Sequence, residues 1–406
     1  MPSRHSFLIL LGAVVLTGCG DDGSGTLPGP VATTNDAGAR VDAGDSATDS
    51  GQSADASAST STDSGTGNLP GDAGPAKVPQ GQWKNVTSNL ANLDSECGNL
   101  STLAVQPGTD QLIAGIALKG LWSSKNGGQS WVAIGNGPGS AAFTNRPTCL
   151  VFDPSDATRY WETGIYNSGG VYKTIDDGKT FSELGPLTKD PISLDCVSVD
   201  FSDPARKVML AGGHERKQQV FRSGDNGATW TNVGLSLNKY CTWPLVLDAN
   251  TYLIGCSYED QGIYRTTDAG ATWSQVSEVG GTNAPLVASD GSIYWAKRDN
   301  AGLVRSTDAG KTWTQVTGAN TVSSVTPLQL PDGRLAALGR ETVLVSRNGG
   351  ATWDPVSTKL PYEDANGFVY SVQQKAFFIK HFTCGSNSVP VPADAIMRFD
   401  YDYQAP

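Results

Sequence analysis

From about residue 81 onward the chain is a succession of short apolar runs that alternate with polar residues and are cut by turns rich in Asp, Asn, Gly and Pro. Val171-Tyr172-Lys173 and Ile263-Tyr264-Arg265 lead into such turns, and Trp230-Thr231-Asn232-Val233 leads out of one. A period of two places alternate side chains on opposite faces, so these runs read as strands. They come in fours. One set is Leu286-Val287-Ala288, Ser292-Ile293-Tyr294-Trp295, Gly302-Leu303-Val304-Arg305 and Thr312-Trp313-Thr314-Gln315-Val316. Asp153-Pro154, Asp203-Pro204, Asp290-Gly291 and Asp332-Gly333 mark the turn between the first two strands in four of the sets.

Between the third and fourth run of each set one motif recurs. It starts at Ser124, Thr174, Ser223, Thr266, Ser306 and Ser346, at intervals of 50, 49, 43, 40 and 40 residues. Each copy is Ser/Thr-x-Asp/Asn-x-Gly-x-Ser/Thr followed by an aromatic residue, which is Trp except at Phe181. Asp or Asn followed by Gly supplies positive φ and local side-chain-to-backbone bonds, which a tight hairpin needs. The closing aromatic ring is of a size to be buried between neighbouring sheets. A period near 40 to 50 residues means stacked supersecondary units such as propeller blades.

The six copies resemble the Asp-box (BNR) repeat of sialidase-like and sortilin-like β-propellers, over roughly residues 81–406. The resemblance implies an all-β fold in which the motif turns lie on the face opposite the ligand site, so their carboxylates are structural. After the sixth copy come Phe368-Val369-Tyr370-Ser371-Val372, Ala376-Phe377-Phe378-Ile379 and Ile396-Met397-Arg398-Phe399, three strands without a fourth. Gln82-Trp83-Lys84-Asn85-Val86 looks like the strand that follows each motif, but no motif precedes it. The expected architecture is therefore a seven-bladed β-propeller whose last blade is closed by the N-terminal strand, leaving no exposed sheet edge. Six blades, or an open ring, is the alternative.

The first eighty residues differ. Arg4 and His5 precede an apolar run from Phe7 to Leu16, too short to span a bilayer and suited to a signal peptide. Leu16-Thr17-Gly18-Cys19 resembles the bacterial lipobox, which implies removal of residues 1–18 and lipidation of Cys19. Gly20, in place of Asp, favours the outer membrane or cell surface. Residues 19–80 carry no aromatic residue and a charge of −7, against −11 for the whole chain. Such a segment cannot bury enough apolar surface to offset ordering entropy, and reads as a disordered acidic tether. Neither part is basic, which argues against nucleic acid as a partner.

Six cysteines remain, and an even number in an exported domain signals disulfides. Fifteen pairings are open. In the propeller arrangement Cys241 and Cys256 lie on the first and second strands of one blade, Cys149 and Cys196 near the starts of innermost strands in neighbouring blades, and Cys97 and Cys384 in blades meeting at the closure. None has the spacing of a zinc or thioredoxin-like site, and no metal or cofactor is expected.

In this class of fold, ligands bind among the loops joining strands two and three and the loops between blades. Those loops carry His214-Glu215-Arg216-Lys217, Tyr258-Glu259-Asp260, Lys297-Arg298-Asp299 beside Trp295, Arg340-Glu341, Tyr362-Glu363-Asp364 and Lys380-His381. His214, Glu215, Tyr258 and Glu259 are the candidate catalytic residues. Trp295, Arg298 and Arg340 are the candidate ligand contacts. The site is thus expected on blades three to six, while the second blade's Gly, Ala and Asn loops offer little directional bonding. The sialidase Phe-Arg-Ile-Pro motif is absent. So are a Gly-x-Ser-x-Gly nucleophile, a P-loop, a dinucleotide fingerprint and a His-Glu-x-x-His zinc site. The reading adopted is a monomeric, lipid-anchored surface propeller that binds a glycan or peptide at its mouth. A glycan-cleaving hydrolase or lyase on the same face, and a scaffold for another protein, are the alternatives.

Overall fold

The apolar runs are strands, and they pair as seven antiparallel four-stranded sheets arranged as the blades of a propeller. The structure is a computed structural model that describes residues 81–91, 93, 100–135, 146–166, 169–188, 192–257, 261–316, 318, 322–363, 365–381 and 395–404. Cys19, Cys97, Tyr258, Glu259 and Cys384 lie outside the described residues.

Six blades use consecutive segments. The second comprises Arg146–Asp153, Asp156–Ile165, Val171–Thr174 and Ser182–Glu183; the third comprises Leu194–Val199, Met209–Gly213, Val220–Ser223 and Thr231–Asn232. The seventh combines Gly367–Ser371, Ala376–His381 and Ala395–Asp400 with the N-terminal strand Lys84–Asn85. Lys84 pairs with Arg398 and Asn85 with Met397. The closure extends past the strand: Val86 N donates to Ile396 O at 2.8 Å, and Ile396 N donates to Thr87 Oγ1 at 2.8 Å. Trp83 packs on Phe399 with ring centroids 5.2 Å apart and donates its indole N–H to the Thr358 carbonyl of blade six.

Each blade is buried on both faces, and the side-chain period of two divides the residues of one strand between two interfaces. Phe377 and Ile379 pack with Leu338 and Val345 of blade six, while Ala376 and Phe378 pack with Leu103 and Leu112 of blade one. Likewise Tyr252 and Ile254 face Leu210 of blade three, whereas Leu253 joins Trp295 and Val304 of blade five. Double burial explains why the second strands read as almost continuous apolar runs.

The six recurrent turns share one bonding scheme. The first Ser/Thr hydroxyl accepts the Gly amide, as in Gly178 N to Thr174 Oγ1 at 3.0 Å and Gly270 N to Thr266 Oγ1 at 3.0 Å. That hydroxyl donates to the acidic residue, which accepts the amide two positions past the Gly; Thr272 N meets Asp268 Oδ1 at 2.9 Å. In the Asp turns the second carboxylate oxygen accepts a hydroxyl, as from Thr229 to Asp225 at 2.6 Å. In the two Asn turns the polarity reverses: Asn126 Nδ2 donates to Ser130 Oγ and Asn348 Nδ2 to Thr352 Oγ1. A hydroxyl can serve as donor or acceptor, so both residues close the same turn.

The motif Gly is required twice over. It has positive φ, for example 82° at Gly227 and 89° at Gly270, and a Cβ there would run into Leu184 or Val233 of the preceding blade. Trp273 adds an indole N–H bond to the Val233 carbonyl, 2.9 Å away. The turns therefore join blades as well as strands. A further clamp lies on the same face between blades two and three. Asp153, fully buried, accepts Nε and Nη2 of Arg206 at 2.8 Å each and Arg159 Nη1 at 3.2 Å. The Arg206 hydrogen bonds hold its carboxyl well below the usual range despite burial.

Hydrogen bonds from Thr229 and Thr266 hold the Asp225 and Asp268 carboxyls at about 2, against an ordinary 3.8. A carboxylate whose pKa is lower in the folded state contributes stability above its unfolded value and loses it as pH falls through its folded value. Thermal stability should therefore fall between roughly pH 4 and pH 2. Replacing Asp176, Asp225, Asp268 and Asp308 together by Asn should preserve the fold at neutral pH and flatten that acid limb in scanning calorimetry. An unchanged limb would show that the turns do not govern acid unfolding. Deleting residues 81–88 should lower the melting temperature far more than deleting 20–75, because only the first opens the ring; equal losses would contradict the closure.

Candidate functional site

The first strand of each blade runs from one face, the mouth, to the other, and the second strand returns. Starts of first strands and ends of second strands thus meet at the mouth. The recurrent turns and the loops between first and second strands meet at the base, as the bonds from Asn226 N to Lys207 O and from Ala269 N to Asn250 O show.

At the mouth, blades two and three converge on His214. This residue follows the second strand of blade three and is buried, with a relative exposure of 8%. Its Nδ1 lies 2.9 Å from Asp195 Oδ1, at the start of the first strand of the same blade. Its Nε2 lies 3.0 Å from the phenolic oxygen of Tyr166, which follows the second strand of blade two. Glu215 Oε1 stands 3.6 Å from the same Nε2. An ionised carboxylate only accepts, which assigns the proton of a neutral imidazole to Nδ1 and makes Nε2 the acceptor for the Tyr166 hydroxyl. The Tyr166 and His214 rings meet edge to face at 5.2 Å, and the guanidinium of buried Arg146 lies 5.6 Å from the Tyr166 ring centroid.

The backbone that presents these groups is strained. Tyr166 has φ 57° and Glu215 φ 50°, both in the left-handed region that side chains other than Gly rarely occupy. Ser193 holds both loops: its hydroxyl accepts the Tyr166 amide and its carbonyl accepts the His214 amide, each at 2.9 Å. Such strain persists only where its surroundings over-determine it, and it clusters at functional sites.

The strands beneath are fastened together. The disulfide Cys149–Cys196 joins the first strands of blades two and three, with Cα atoms 5.1 Å apart, one residue beyond Asp195. Thr148 donates its hydroxyl to the Asp195 carbonyl at 2.8 Å. The second disulfide, Cys241–Cys256, links directly paired residues of blade four. Disulfides of this kind persist in oxidising compartments, which agrees with an extracellular or periplasmic domain.

The other candidates separate. Trp295 is not a ligand contact: it is fully buried, its indole N–H donates to Asn283 O at 2.7 Å, and it packs 5.8 Å from Trp313 between blades four and five. Its position inside the second strand of blade five, with both faces of that blade covered, decides this. Arg298 is half-buried on a short 3-10 turn, Arg298–Asn300, where Nη1 donates to Ser257 O of blade four at 3.0 Å. Arg340 is exposed in the corresponding loop of blade six. At blade seven His381 is buried and stacked on Tyr362, with ring centroids 4.0 Å apart, and buried Lys380 donates to Asn366 Oδ1 at 2.7 Å.

Of the residues in this cluster, His214 and Glu215 are candidates from sequence, whereas Asp195, Ser193 and Tyr166 are not, nor is Arg146 expected there as part of a site. Asp195 and Arg146 do leave a trace, as charged residues opening otherwise apolar innermost strands. Tyr166 gives none, since only the ring brings it beside blade three.

A family profile described as a DUF6242 beta propeller domain matches residues 244–388. The chain is 27% identical over 181 residues to a probable oligoxyloglucan-reducing end-specific xyloglucanase of Neosartorya fischeri, covering 43% of this chain and 21% of that protein. Among solved structures, the extracellular domain of a putative one component system from B. thetaiotaomicron superposes with TM-score 0.53 at 13% identity, over 79% of this chain and 40% of that one. The GH74 xyloglucanase from Xanthomonas campestris gives 0.50 at 17% identity, over 75% and 52%. At these identities the structural likenesses establish the propeller fold. The chain spans about a fifth of the curated relative's length.

The Cys149–Cys196 bridge closes a loop of 47 residues beneath the His214 cluster. Replacing both cysteines by Ala should cost about 2–4 kcal/mol in urea unfolding. A loss below about 0.5 kcal/mol, within the usual range of surface substitutions, would show that this bridge does not hold blades two and three together.

Proposed function

We propose that this protein is an exported, lipid-anchored propeller that binds a glycan or peptide ligand at its mouth. The observation that carries the reading is the cluster of Tyr166, His214, Asp195 and Glu215. It gathers directional polar groups on strained backbone at one point of the ring, above strands that are bonded and disulfide-linked. A few convergent polar groups are what fix a ligand's orientation in a binding site. Arg298 and Arg340, on blades five and six, add cations to the same face. The six base turns support membership of the Asp-box propellers, with the base as scaffold and the mouth as working face.

Residues 1–18 serve as a lipoprotein signal, Cys19 as the lipidated terminus and 19–80 as a tether that holds a monomeric propeller away from the outer membrane. The relatives that act on xyloglucan, and the extracellular propeller domains, support a glycan as the ligand class. A glycan-cleaving activity is the second reading, favoured by the hydrogen-bond chain from Asp195 through His214 to Tyr166.

Cys19→Ser should move the protein from the membrane to the soluble fraction; sedimentation of the variant with salt-washed membranes would contradict the anchor. A glycan array probed with residues 81–406 should give ligands whose binding weakens in Glu215→Ala, and is unaffected by Asp268→Asn at the base. A footprint confined to the base would overturn the assignment of the mouth.

A further inference from the structure

We infer that Tyr166 is the acid–base group of a catalytic centre between blades two and three, and that this centre cleaves an acidic glycan by β-elimination. The inference rests on the mouth being the glycan site. Tyr166 is half-buried at the mouth, and its hydroxyl is bonded to His214 Nε2 at 3.0 Å. Asp195, on the far side of the imidazole, stabilises the imidazolium that forms when His214 takes a proton. The Arg146 guanidinium lies 5.6 Å from the Tyr166 ring centroid, a fixed positive charge beside the phenol. Arg216, exposed in the loop that carries His214 and Glu215, is the available cation for a substrate carboxylate.

The alternative chemistry, hydrolysis, needs two carboxyl groups facing each other across the bond to be cut. Here the two nearby carboxylates, Asp195 and Glu215, are directed to opposite nitrogens of one imidazole, and Asp195 is buried. Asp195 is bonded to the histidine, so it cannot face Glu215 across a cleft. A polarised phenol suits removal of a carbon-bound proton instead.

The step closes without any co-reactant. Tyr166 gives its proton to His214 Nε2. The phenolate oxygen removes the hydrogen on the ring carbon that bears the uronate carboxylate, whose charge Arg216 balances. The electron pair of that carbon–hydrogen bond forms a carbon–carbon double bond to the neighbouring ring carbon. The glycosidic carbon–oxygen bond on that neighbour breaks, and the leaving oxygen takes the proton held by His214. Tyr166 is left protonated and His214 neutral, as before the reaction.

The test uses residues 81–406 with polygalacturonate, alginate and hyaluronan. The ultraviolet absorbance of the new conjugated double bond should grow with at least one of them, and the fragment that carries the double bond should be lighter by one water than its hydrolysis counterpart. Tyr166→Phe, which removes one hydroxyl, should lower the rate about 100-fold or more while leaving polysaccharide binding intact. Arg216→Ala, an exposed substitution that spares the fold, should raise KM several-fold. Absence of unsaturated product from all three polymers, or a Tyr166→Phe variant with native turnover, would overturn the inference. If the same preparation binds a glycan in the array but cleaves none of the polymers, elimination falls and binding at the mouth stands.

Discussion

A sheet buried on both faces must end by meeting its own beginning, and the rest of this structure follows from that constraint. Phe377 and Phe378 are adjacent in sequence yet belong to different inter-blade cores. Removing one neighbour would expose half of a blade's apolar side chains to water, at about 1.5–3 kcal/mol for each large residue. The two-residue strand Lys84–Asn85 is short for the task, and its own residues are exposed. It is effective because the segment continues inward: Val86 and Thr87 bond Ile396, and Leu90 is fully buried in the core shared by blades seven and one. Exposed pairs such as Lys84–Asp400 add little to this.

The same constraint divides the molecule into a repetitive base and a variable mouth. At the base the turns must pass close to the preceding blade, so Gly recurs at one position and a Ser/Thr hydroxyl recurs where the Gly amide needs an acceptor. Side chains there are occupied by the scaffold. At the mouth no such periodic demand exists, and each blade presents a different loop. Where two of these loops meet over the Cys149–Cys196 bridge, polar groups converge, and Tyr166 and Glu215 among them are left-handed. Rigidity beneath and irregularity above is the arrangement that lets a fold hold a precise constellation without giving up stability.

How much of this was legible in the sequence follows from the range of the interactions. The turns were legible because their bonds are local, spanning two to four residues, and because they repeat. Closure was legible because one blade lacked a strand and one strand lacked a blade. The disulfide partners among the described residues follow from the blade order, as strand starts and strand ends share a face. The mouth cluster was only half legible. His214 and Glu215 lie in a charged loop, but Tyr166 reaches His214 across 48 positions and between blades. Trp295 misled for a related reason: an aromatic residue beside charged loop residues has the same local pattern whether it faces the mouth or, as here, the interface with Trp313. The alternation of the strand separates inward from outward only when one face is exposed, and here neither is.

The central claim is that the working site is the mouth between blades two and three. Hydrogen exchange with and without a glycan ligand tests it directly. The account predicts slowed exchange in peptides that cover Thr163–Tyr166 and Ser193–Asp195, and in the loop that begins at His214, with the base turns unchanged. Protection confined to the base turns, or to mouth loops on the opposite side of the ring, would contradict it.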